Sequence, residues 1–127
     1  MKIIIYYHLT LLNNWADVLR EQCTRIIFSG LYDIVHSIRC YAIDINGDQE
    51  QLCRKLLRNY GMKFYLEGVE RSGTEWLTLK NIKDRVEDDD IVLYIHTKGV
   101  SRYNTDNYTL QTKEKELEID HKFKFKL

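Results

Sequence analysis

Ile3-Ile4-Ile5-Tyr6-Tyr7 opens the chain as an unbroken apolar run rich in β-branched residues. A strand with one wet face alternates apolar and polar residues. A continuous run fits a strand covered on both faces, as in a parallel sheet. Parallel neighbours are joined by crossovers, usually helical, so the residues that follow are expected to form a helix. Asn13 or Asn14 supplies an N-cap. Trp15, Val18, Leu19, Cys23, Ile26 and Ile27 recur at helical spacing over 15–28, and Gly30 stands where a helix C-terminal glycine belongs.

The same alternation continues. Residues 31–36 read as one helical turn and 38–43 as a second strand, ending at the turn Asp44-Ile45-Asn46-Gly47. Asp48 is expected to cap a second long helix running to Tyr60, with Leu52, Leu56 and Leu57 toward the core and Gly61 ending it. Residues 63–66 form a short third strand and 67–73 a loop. A third long helix covers 74–86, with Trp76, Leu77, Leu79, Ile82 and Val86 apolar. Residues 91–95 form the fourth strand, read as the most hydrophobic and most buried. The order β-α-β-α-β-α-β predicts an α/β fold: a Rossmann-like three-layer α/β/α arrangement with a mostly parallel, right-handed wound sheet. Beyond Asn104 the character changes. Residues 112–126 are highly charged, and 121–126 alternate like an edge strand with one basic face, or form a tail.

Composition sets the limits. With 127 residues the chain fits one domain, and 44% hydrophobic with 30% charged residues supports a packed core. Nineteen basic residues balance 19 acidic ones, so no net charge draws the chain to nucleic acid or anionic membrane. No segment reaches the roughly 18 apolar residues of a membrane helix. The first eight residues lack the length and cleavage site of a signal peptide. Cys23, Cys40 and Cys53 are odd in number and hold no CxxC pair, against a disulfide framework or zinc site. Buried free thiols in a reducing, cytoplasmic setting are the expectation.

In wound parallel sheets ligands sit beyond the carboxyl ends of the strands. That selects two segments, Tyr7-His8-Leu9-Thr10 and His96-Thr97-Lys98-Gly99-Val100. Lys98 can offset phosphate charge, Gly99 lets a backbone approach a ligand, and His96 can donate to a phosphate or sugar hydroxyl. Tyr7 can stack on a base with His8 bonding to it, or simply pack in the core. Glu75 and Lys80 flank the start of the third long helix, where Glu75 is also an ordinary favourable first-turn charge. Asp88-Asp89-Asp90 lies at the opposite sheet edge and reads as a solvated turn. Asp44-Ile45-Asn46-Gly47-Asp48 misplaces the glycine of a calcium loop and lacks its glutamate. A response-regulator-like or flavodoxin-like module would need an acidic set that Tyr7-His8 and Glu67-Gly68 do not supply.

Glu75-Trp76-Leu77-Thr78-Leu79-Lys80-Asn81-Ile82, then a strand ending in His96-Thr97-Lys98-Gly99, resembles a group of small glycosyltransferase-like proteins of bacteria and large DNA viruses. Tyr6-Tyr7-His8 with Asn13-Asn14-Trp15, and Ser29-Gly30-Leu31-Tyr32-Asp33, are similar to the same group. The resemblance covers residues 1–104. It implies the N-terminal nucleotide-binding half of a GT-A-type fold, binding a nucleotide-diphosphate sugar and transferring the sugar to an acceptor hydroxyl. Tyr7 and His8 would lie near the base, Glu75 and Lys80 near the nucleoside, and His96, Lys98 and Gly99 near the diphosphate. GT-A enzymes carry Asp-x-Asp at the fourth strand's end for a divalent metal, Mn or Mg. His96-Thr97-Lys98 stands there instead, and a lysine can supply positive charge without a metal, which puts metal dependence in question. Residues 105–127 do not resemble the expected continuation. A truncated gene, or a non-catalytic module whose open sheet edge meets a protein partner or a second copy, would both fit.

Overall fold

The computed structural model describes residues 1–97. Eight elements follow one another: β1 (Ile3–Thr10), α1 (Trp15–Phe28), α2 (Leu31–Ile34), β2 (Ser37–Ile43), α3 (Glu50–Tyr60), β3 (Phe64–Glu70), α4 (Trp76–Arg85) and β4 (Ile91–His96). The four strands form one sheet in the order β3-β2-β1-β4, and every pairing is parallel. The chain is thus α/β with helices on both faces of a parallel sheet, the Rossmann-like three-layer arrangement.

Alternation along β1 sorts its side chains between the two faces. Ile5, Tyr7 and Leu9 join Ile38, Cys40, Ala42, Leu93 and Ile95 in the larger core, beneath Val18, Leu19, Cys23 and Ile26 of α1 and Cys53, Leu56 and Leu57 of α3. Ile4 and Tyr6 face the other way and pack with Tyr41, Val92 and Tyr94 beneath Leu77 and Ile82 of α4. Gly30 adopts φ +84°, and with no Cβ it turns the chain from α1 into α2 without strain.

Several boundaries and faces differ from the sequence reading. The strand expected over 63–66 continues to Glu70, past an irregularity opposite Cys40 and Tyr41. The Glu67 carboxylate is drawn in rather than left in a loop: it accepts from the Tyr41 hydroxyl at 2.9 Å and from Arg85 at 3.2 Å, and pairs with Arg39 at 3.6 Å. Leu52 is exposed, because the buried stripe of α3 runs through Cys53, Leu56 and Leu57. On α4, Trp76 and Leu79 are exposed and Thr78 is the fully buried position. The most buried strands are β1 and β2, each flanked on both sides. Among the described residues β4 has a neighbour on one side only, and four of its six positions are half-buried.

Asp44, not Asp48, organises the start of α3. Its buried carboxylate accepts backbone N–H groups from Gly47 at 3.1 Å, Gln49 at 3.0 Å and Glu50 at 3.1 Å. The Asp48 carboxylate instead receives the Gln49 side-chain amide.

Candidate functional site

From β1 the chain moves through β2 to β3 on one side, then returns to place β4 on the other side of β1. The helix after β1 packs on one face of the sheet and the helix before β4 on the opposite face. Strand order therefore reverses between β1 and β4, and ligands of wound sheets bind beyond the carboxyl ends at such a point. His8 and His96 are direct partners in the β1–β4 register at that end.

The first turn of α4 meets both histidines. His8 Nδ1 lies 2.8 Å from the Thr78 hydroxyl. Its Nε2 is buried with no hydrogen-bond partner among the described residues. Burial, and secondarily the neighbouring His96, lower the His8 pKa to about 4, so the ring is neutral near pH 7. His96 Nδ1 lies 3.0 Å from a Glu75 carboxylate oxygen, and its ring stacks on Tyr94 with centroids 5.6 Å apart. The Tyr94 phenol is pushed up, first by burial and then by the nearby Glu75 carboxylate.

The other face supplies a second set of bonds. Gln22, buried on α1, donates from Nε2 to the His96 carbonyl at 2.9 Å and accepts the Tyr7 hydroxyl at Oε1. Thr97 locks the two strand ends together: its N–H donates to the His8 carbonyl at 3.0 Å, and its hydroxyl accepts the Thr10 N–H at 2.9 Å.

Of the residues singled out from sequence, His8, Glu75 and His96 converge. Tyr7 lies on the opposite face, fully buried, and packs in the core. Lys80 is exposed on α4, and no bond among the described residues joins it to the cluster. Lys98 and Gly99, and the charged segment 105–127, lie outside the described residues. Gln22 and Tyr94 were not singled out from sequence, and Thr78 and Thr97 stood inside quoted segments with no role given to them. Only Gln22 left a usable trace there, as a polar residue on the buried stripe of α1.

Among the described residues at the β1–β4 end, no three His, Cys or carboxylate ligand atoms lie within 4.8 Å of one another. The carboxylates of Glu87, Asp89 and Asp90 do cluster, but before β4, at the other end of the sheet. There Asp90 accepts the Glu87 N–H and Asp89 pairs with the chain's N-terminal amine at 3.3 Å. Dinucleotide enzymes of this topology grip a ribose with an acidic residue near the end of β2. Asp44 stands at that place, but its oxygens are occupied by the three backbone N–H groups of the α3 cap. Among the described residues no helix is long and apolar enough to cross a membrane. No protein-family model, curated protein or solved structure matches the chain.

Proposed function

We propose that this chain binds a nucleotide-diphosphate sugar in the crevice between the ends of β1 and β4, as a glycosyltransferase-like domain. The observation that carries the reading is the convergence of His8, Glu75 and His96 where the strand order reverses. The bonded residues of this cluster include a carboxylate, two imidazoles and threonine hydroxyls, which suit the hydroxyl-rich part of such a ligand. Lys98, which follows in sequence, would supply the positive charge for the diphosphate. In transfer, the acceptor hydroxyl oxygen bonds to the anomeric carbon and releases its proton to water, while the bond from that carbon to the diphosphate oxygen breaks and its electron pair leaves with the diphosphate. His96 and Lys98 would stabilise the negative charge gathering on the leaving group, and positioning would supply much of the remaining acceleration.

Thermal-shift and calorimetric titrations with UDP, GDP and UDP-sugars, with and without manganese, test the reading. A bound nucleotide raises the melting temperature by mass action. Saturable binding that is lost in His96→Ala and Lys98→Ala is the expected result, and metal independence would assign the charge-balancing role to Lys98. Binding without turnover of any UDP-sugar would make the chain a nucleotide-binding module rather than a transferase. A cooperatively folded chain that binds none of these nucleotides would overturn the donor-site reading.

A further inference from the structure

The buried face of α1 contains one amide among apolar residues: Gln22, between Leu19, Cys23 and Ile26. An amide buried without partners is costly, whereas a satisfied one fixes geometry. Gln22 is satisfied at both ends of its side chain, and its partners belong to different strands. Oε1 takes the Tyr7 hydroxyl from β1, while Nε2 donates to the backbone carbonyl of His96, the last residue of β4. The bond to β4 comes from the helix that follows β1, so it spans the reversal point rather than running along one strand. On the opposite face Thr78 and Glu75 of α4 hold the His8 and His96 side chains. The end of β4 is therefore held from both layers, by its backbone from α1 and by its side chain from α4.

We infer that Gln22 is a positioning residue for the candidate site: by holding the His96 carbonyl it fixes the end of β4, and with it the placement of His96 and Thr97 beside the end of β1. The inference rests on the proposed donor site for its functional side, but its geometric side is independent of any ligand. Gln22 touches no reacting group, and acts through the strand end.

Three variants separate its two bonds. Gln22→Met keeps the length and removes both. Gln22→Glu retains an acceptor for Tyr7 but, when ionised, offers no donor to the His96 carbonyl. Tyr7→Phe removes only the bond to Tyr7. Amide hydrogen exchange of the ligand-free protein reads the strand end through Thr97 and Thr10, with Ile5 and Leu93 in the same pair of strands as internal references. The expected result is faster exchange at Thr97 and Thr10 in Gln22→Met and Gln22→Glu, with Ile5 and Leu93 unchanged and Tyr7→Phe close to wild type. UDP affinity should fall about tenfold in the two Gln22 variants, the scale of one buried hydrogen bond lost with its acceptor left unpaired. Exchange at Thr97 and Thr10 that rises no more than at Ile5 and Leu93 would overturn the inference whatever the ligand results. Faster local exchange with wild-type UDP affinity would also overturn it. If the wild-type chain binds no nucleotide, the donor-site reading falls, while the exchange data still decide whether Gln22 positions the strand end.

Discussion

Burial holds the His8 imidazole neutral, its pKa lowered from 6.5 to about 4 first by desolvation and then by His96. The unfolded chain takes up this proton near pH 6.5 and the folded chain only near pH 4. Between those values the unfolded state binds more protons, so stability rises with pH across the window. The contribution is complete above pH 6.5 and is lost as the pH falls through about 4. At about 1.4 kcal/mol per unit, the full effect is about 3 kcal/mol. Urea unfolding across this window should therefore show a falling midpoint in the wild type and a flatter profile in His8→Asn, which has nothing to titrate there. Equal slopes in the two proteins would mean that water reaches the folded His8 ring and allows it to protonate. The neutral state also bears on the site, because a neutral ring can accept or donate a single hydrogen bond through Nε2 without bringing charge.

At the scale of elements, α3 shows how one carboxylate can fix a helix start from outside the helix. Asp44→Ala leaves three backbone N–H groups without their charged acceptor. Loss of such a cap should destabilise the protein by about 2 kcal/mol. Asp48→Ala, at the residue that sequence spacing favours as the cap, should stay within about 0.5 kcal/mol. Denaturant midpoints of the two variants give the comparison directly, and equal losses would refute the assignment to Asp44. Spacing could not show this, because both aspartates stand near enough to cap α3 and only the turn through Gly47 brings Asp44 back over its N-terminus. The order of elements was legible because each unit pairs a periodic helix with an apolar run, as in residues 3–7 followed by 15–28. The far half of β3 was not, because Glu67, Gly68 and Glu70 carry loop composition and are held as a strand by Arg39, Arg85 and the ladder to β2. The burial of β4 was misjudged for a related reason: hydrophobicity reports what a strand could bury, whereas its place in the sheet decides what it does bury. At the site, strand-end position located His8 and His96. Thr78 and Gln22 became visible only when helices brought them across 70 and 74 residues of sequence.

Across the whole molecule, the three cysteines report on cooperativity. Cys23, Cys40 and Cys53 come from α1, β2 and α3, and all three are fully buried in the core that joins these elements. Burial raises each thiol above its ordinary value, Cys53 to about 12. Since the thiolate is the reactive form, native-state alkylation should be negligible. Exposing any one of them requires the helical layer to part from the sheet, and a domain of this size usually unfolds as a single unit. Iodoacetamide labelling along a denaturant gradient, read by intact mass, should therefore yield chains with no label or with three. Singly labelled chains would show that α1 or α3 opens as a separate unit. The same experiment connects the core to the crevice. Because β1 and α1 contribute to both, a nucleotide bound between β1 and β4 should protect the three thiols by one common factor through mass action. Protection confined to Cys23, on the helix that also carries Gln22, would instead mean that the ligand steadies α1 alone and that the crevice and the core beneath α3 are energetically separate.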